Sequence, residues 1–216
     1  MKRKILKKRR VSFAKFLKVE TRRILIGAQE FMRVIVRKKN AAAFLVHDLT
    51  RDEVVFALQE REPMRTLQNR KGSILEAPAG HLESPDIPAE ISREASEEVG
   101  ATVRAEQVLV LNGGQMLAVS PGWTTECKAL GYIPLEPGQL EAANRTFGLA
   151  CEGEYITRKR VSVEKLETMQ FQDLTTFALV QWLLHRRAKK RIKEAEKRIH
   201  ELEQDLDAMR RMDDRS

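Results

Sequence analysis

The chain has 216 residues, 42% of them apolar, which suits one domain of ordinary size with small additions and a sizeable buried core. No apolar run approaches the ~20 residues of a membrane span, and no signal-peptide core follows the basic start, so a cytoplasmic location is expected. Cys127 and Cys151 lack zinc spacing and are too few for a disulfide scaffold. The net charge of +8 is mostly local, because Lys2, Arg3, Lys4, Lys7, Lys8, Arg9 and Arg10 fall within the first ten residues and leave the body close to neutral. Residues 1–12 read as a basic tail. It either contacts nucleic acid or another acidic surface or is simply solvated.

In residues 13–40, alternating stretches from Ala14 to Glu20 and Met32 to Arg37 flank Ile24-Leu25-Ile26 and predict a few antiparallel strands. Ala41 to Val46 is fully apolar, as a buried central strand is, and Glu53 to Gln59 is its returning partner in a hairpin over 41–59. Val108–Leu111, Thr125–Ile133 and Tyr155–Val163 predict later strands, with a long loop over Pro134–Phe147. From Leu174 to about Arg211 no Pro or Gly interrupts a helical pattern about 55 Å long. Ile192, Ala195, Ile199, Leu202, Leu206 and Met209 alternate at spacings of three and four, an a/d seam. Residues 186–198 are mainly basic and 201–216 mainly acidic, so two such helices side by side in opposite directions would match charges. A coiled-coil homodimer and a single solvated helix both fit this pattern.

Ala89 to Val99 predicts a helix with Ile91 and Ala95 facing inward and Gly100 as its C-cap. Within it, Arg93-Glu94-Ala95-Ser96-Glu97-Glu98 places Glu94 and Glu98 one turn apart on one face. Like charges at that spacing repel, and a hard divalent cation between them would relieve the repulsion. The preceding Leu75–Glu83 and the Pro-bearing Ser84–Pro88 form a glycine-containing lead-in, and such a lead-in to an acidic helix suits a polyphosphate with a metal ion.

The segment from Gly80 to Ala101 resembles the Nudix box, in which a glycine precedes Arg-Glu-x-x-Glu-Glu-x-Gly at fixed spacing. Here the stretch from Gly80 to Arg93 is one residue short, and Asp86 stands near the usual loop Glu. Leu75-Glu76-Ala77-Pro78-Ala79-Gly80, Ser120-Pro121-Gly122-Trp123-Thr124-Thr125-Glu126, Leu58-Gln59-Glu60-Arg61, Cys151–Ile156 and Gln181-Trp182-Leu183 extend the resemblance to the ADP-sugar (ADP-ribose) pyrophosphatase branch over roughly residues 20–185.

The resemblance implies an α/β fold: a Nudix-type α-β-α sandwich with a mixed sheet, small N-terminal antiparallel strands and a long C-terminal helix. Residues 41–185 would form the catalytic domain and 13–40 a strand region exchanged in a homodimer; 186–216 reads from its own pattern as a charged helical or coiled-coil extension, and 188–216 has no counterpart in the resemblance. The implied reaction is hydrolysis of a nucleoside diphosphate sugar to a nucleoside monophosphate and a sugar phosphate. GDP-mannose, UDP-glucose, a dinucleotide or capped RNA are alternative substrates, and a non-catalytic scaffold is a further alternative. Mg²⁺, or Mn²⁺ in its place, would be held by Glu94, Glu98, the Ala79 carbonyl and Glu154. Arg93 would orient the glutamates, Glu97 would hold a second ion or act through water, and Glu152 would be the base, with Glu83 and Asp86 as rivals. Arg61, Glu76, Gly80, Ser120 and Gly122 would bind substrate. His81 reads as a loop histidine, and Trp123 as either a base-stacking or a core residue.

Overall fold

Strand-forming residues open the chain. The computed structural model describes residues 3–14, 17–142, 145–149, 151 and 153–213. Strands β1 (Arg3–Ala14), β2 (Leu17–Ile26) and β3 (Gln29–Arg37) form an antiparallel sheet in that order. The basic segment read as a tail is thus a strand from Arg3 onward, paired with β2 from Arg3↔Ile26 to Ala14↔Leu17. Its backbone satisfies a β2 edge that would otherwise be open. The patches of alternation expected separately are joined, because β2 runs unbroken through Arg22-Arg23 to a turn at Gly27. Fully buried Glu20 accepts from the guanidinium groups of Arg22 and Arg37, which keeps its charge paired inside the sheet.

The main sheet comprises β4 (Ala41–Asp48), β5 (Glu53–Glu60), β6 (Ser73–Glu76), β7 (Ala79–His81), β8 (Leu109–Val110), β9 (Leu117–Ala118), β10 (Cys127–Leu135), β11 (Thr146–Phe147) and β12 (Ile156–Ser162). Its path is β11-β12-β5-β4-β10-β8, with β6 on β5, β7 on β4 and β9 on β10. The β4–β10 pair is parallel and its neighbours antiparallel, so the sheet is mixed. The 41–59 hairpin forms over Val46↔Val55 to Asp48↔Glu53. Beyond Val46 it opens: the start of β4 pairs with β7, while β5 turns to β6. This split carries Ala79-Gly80 into the sheet.

Alternate residues of β4 face two layers. Phe44 and Val46 pack with Ile91, Ala95 and Val99 of helix α1 (Ile87–Val99). Leu45 packs on the other side with Val163 and Leu166 of the short α2 (Val163–Leu166) and with Leu179, Val180 and Leu183 of α3 (Leu174–Asp213). The result is an α-β-α sandwich around a mixed sheet. Asp173 accepts from the backbone of Thr175 and Thr176 at 2.8 and 3.0 Å, which fixes where α3 starts. Thr176 Oγ1 in turn accepts from the buried Ala77 N–H at 2.7 Å, clamping α3 to the segment between β6 and β7. Arg187 pairs with Asp52, which also bonds His47 Nε2 at 3.0 Å, and Tyr132 OH meets His47 Nδ1 at 2.8 Å. From Ala188 to His200 every residue of α3 is exposed.

Replacing Thr176 with Val keeps the shape and strands the Ala77 N–H. Thr176→Val should cost about 2 kcal/mol in urea unfolding. A loss under ~0.5 kcal/mol, within the range of ordinary surface substitutions, would show that the clamp does not hold.

Candidate functional site

Helix α1 begins two residues earlier than its apolar pattern predicts. Pro88 suits the first turn, and Asp86 is the N-cap, its carboxylate accepting from Ala89 N at 3.2 Å. Asp86, a rival base by sequence, is therefore engaged in capping. Gly100 ends the helix in the left-handed conformation (φ 66°), as expected of the C-cap.

Glu90, Glu94 and Glu98 form one row of buried carboxylates along α1 beside the apolar face. Arg93 holds the row in place. Its Nη2 donates to Glu90 at 2.9 Å and Glu94 at 2.7 Å, and its Nη1 donates to Glu97 at 2.9 Å. Burial opposes the guanidinium charge, but these three partners outweigh it and raise the Arg93 pKa. Glu90 was not singled out from sequence, although it lies one turn before Glu94 in the same row. Its bond from Arg93 holds it below the usual carboxylate range, and it also accepts from Glu83 N at 3.3 Å.

Strand β7 meets this row edge-on. Phe44 N donates to Pro78 O at 3.0 Å, so strand alternation turns the Ala79 N–H and C=O away from β4. The Ala79 N–H donates to Glu98 Oε2 at 2.8 Å. The Glu94 carboxylate lies directly over Gly80, where a Cβ would fall 1.8 Å from Glu94 Cδ. The Gly80 φ is not positive, so the glycine is needed for closeness and not for a left-handed turn.

Burial drives both carboxyls upward. Glu98 is raised to about 8, with Glu94 and Glu154 adding to the shift while the Ala79 N–H and Arg61 oppose it. Glu94 is raised to about 7, opposed by Arg93 and reinforced by Glu97 and Glu154. Glu154 thus shares the field of the site. Its loop is tied down where Gly148 N donates to Glu97 O at 3.0 Å and Glu154 N to Leu149 O at 3.2 Å. Glu152 lies outside the described residues.

Arg61 follows β5 and Glu76 ends β6. Glu76 Oε1 accepts from Arg61 Nε at 2.8 Å and Gln59 Nε2 at 2.7 Å. Ser120 and Gly122 lie on a segment that docks on the small sheet through Val36 N–Trp123 O (2.7 Å) and Thr125 N–Val36 O (3.0 Å). Trp123 is 57% exposed and is not a core residue. His81 is exposed, and its carbonyl receives a 3.4 Å bond from Arg93.

Among the described residues, no group of three or more His, Cys, Asp or Glu side chains is arranged to hold a metal ion. Two carboxylates and a backbone carbonyl nevertheless suit a hard cation that keeps several waters. Glu94 and Glu98 are buried with little positive charge beyond Arg93, so a divalent ion would favour their ionised forms.

No protein-family model and no curated protein matches the chain. A solved structure of an ADP compounds hydrolase aligns with a TM-score of 0.64 at 17% identity, covering 88% of this chain and 96% of that one. At that identity the likeness is one of fold, and it agrees with the layers described above.

Because the folded values of Glu94 and Glu98 lie above 4.5, the folded chain binds more protons than the unfolded chain between that value and about 8. Metal-free stability should therefore fall as pH rises through this window. In a chelator, Tm should drop by roughly 5 °C between pH 5 and 8, and the drop should shrink in Glu98→Gln. An identical profile in wild type and variant would refute the burial argument.

Proposed function

We propose that the chain is a metal-dependent hydrolase of nucleoside diphosphate derivatives. Its substrate would be ADP-ribose or a related nucleoside diphosphate sugar, cleaved to a nucleoside monophosphate and a sugar phosphate. The observation that carries this reading is the seating of Glu94 on Gly80 and of Glu98 on the Ala79 N–H. Buried carboxylates with raised pKa values, gathered at a strand end, favour a functional site over a solvated acidic face.

In this reading Glu94, Glu98 and the Ala79 carbonyl hold Mg²⁺, with Mn²⁺ as a substitute, and Glu154 or Glu97 contacts a second ion. Bound there, the metal would neutralise phosphate oxygens and lower the pKa of the attacking water. Arg93 keeps the carboxylates in place by sharing its donors among them. Glu152 or Glu154 takes the proton from water, the loop being tied to α1 through Gly148. Arg61, tied to Glu76 on one side and partly exposed, offers its remaining donors to phosphate. Glu76 and Gly80 line the sugar side, and Ser120 and Gly122 contact substrate from the segment docked on β3. A homodimer through the N-terminal strands and a cytoplasmic location complete the reading.

The test is a panel of ADP-ribose, UDP-glucose, GDP-mannose, a dinucleotide and capped RNA with Mg²⁺. One nucleoside diphosphate sugar should dominate, and Glu98→Gln should lower its turnover by at least about a hundredfold. Gly80→Ala should do the same and should also lower Tm, since the added Cβ displaces a buried carboxylate from its bond with Arg93. The proposal fails if the native chain hydrolyses no diphosphate. Nearly full turnover in Glu152→Gln would pass the base role to Glu154.

A further inference from the structure

Among the described residues, the apolar side chains on the outer part of α3 form an exposed stripe. Ile192, Ile199 and Leu202 are 57%, 56% and 51% exposed, although they share one face of the helix. The root of the helix is fixed to the domain by Leu179, Val180, Leu183 and the Arg187–Asp52 pair. Beyond it, the ion pairs Lys190–Glu194 and Lys197–Glu201 lie on the outer face of the helix.

We infer that this segment is one strand of a parallel, in-register two-stranded coiled coil whose partner is a second copy of the chain. With Ile192 at a, the seam reads Ile192, Ile199 and Leu206 at a, and Ala195, Leu202 and Met209 at d. Within a parallel coil, a β-branched residue at a with Leu at d, as at Ile199 and Leu202, favours two strands. The flanking positions choose the parallel orientation. In a parallel pair each g residue faces the e residue five positions on in the other helix. Arg191 then faces Glu196, Arg198 faces Glu203, and Asp205 faces Arg210, each pair of opposite sign. Among the described residues Arg191, Glu196 and Glu203 have no ion pair within the single chain, and Arg198 holds only an exposed one to Glu201 at 3.3 Å.

The antiparallel arrangement suggested by the basic and acidic halves does worse once side chains are placed in heptads. With Ile199 opposite Leu202, e faces e, so Glu196 meets Glu203 and Lys189 meets Arg210. Only Arg198 with Asp205 remains attractive. Bulk polarity and residue-level pairing thus give opposite answers, and pairing operates at contact distance.

The test uses the full chain with Cys127→Ser and Cys151→Ser and adds Ala195→Cys, which removes no large seam residue. In the parallel coil position 195 faces its own copy, within the 7 Å that a disulfide spans. In the antiparallel coil its mate lies eleven residues along the helix, about 16 Å away. Mild oxidation should convert most of the chain to a covalent dimer. Adding Glu196→Lys with Glu203→Lys should cut the yield of the 195 cross-link on the order of tenfold, whatever holds the N-terminal strands, since both copies of two attractive pairs become repulsive. Mixing that chain with one carrying Arg191→Glu and Arg198→Glu should restore cross-linking between unlike chains. No cross-link at 195, or cross-linking indifferent to the charge reversals, overturns the inference. Cross-linking of Ala195→Cys only to a Leu206→Cys chain would establish the antiparallel form instead.

Discussion

The contact between the Glu94 carboxylate and the bare Cα of Gly80 constrains everything around it. A carboxylate can be buried only if its charge is met or suppressed. Here Arg93 meets part of it, and the raised values of Glu94 and Glu98 show that the remainder is not fully met. Helix α1 must therefore lie close enough to β7 for the carboxylates to reach the strand, and its apolar face must pack on β4 at the same time. Residues four apart supply the acidic row and the neighbouring positions supply Ile91, Ala95 and Val99, so one helix serves both needs.

The sheet is built to present that strand. β4 pairs with β5 near the hairpin turn and with β7 at its other end, so a single strand changes partner along its length. The clamp from Thr176 to Ala77 holds the changeover from the α3 side, and the Phe44–Pro78 bond holds it from within the sheet. Gly148 is anchored to Glu97 near the end of the same helix and Glu154 to the adjacent Leu149, so Glu154 and the acidic row are referred to one element.

Much of this was legible from local pattern. The fully apolar run at Ala41–Val46, the turn before Glu53, the Gly100 cap and the unbroken helix after Leu174 are signals carried by a few neighbouring residues, and each element lies where those signals put it. Glu94 and Glu98 were visible as an i, i+4 pair for the same reason. What escaped was decided by distant partners. The basic segment becomes a strand because β2 offers an edge, which its composition does not reveal. Glu90 joins the site through Arg93, and Asp86 is engaged as a cap by a backbone N–H. The Ser120–Trp123 segment docks on β3 through backbone bonds, which leave no mark on side-chain pattern.

The order of Ala79 and Gly80 along β7 also sets the register of the sheet. A strand slipped by one residue exchanges the two faces of every position. Here such a slip would bring the Ala79 methyl under Glu94 and turn the N–H that serves Glu98 toward β4. The wrong pairing would thus lose a buried hydrogen bond and gain a steric clash together. Two adjacent small residues, only one of which has a Cβ, therefore act as an alignment mark for β7 on β4.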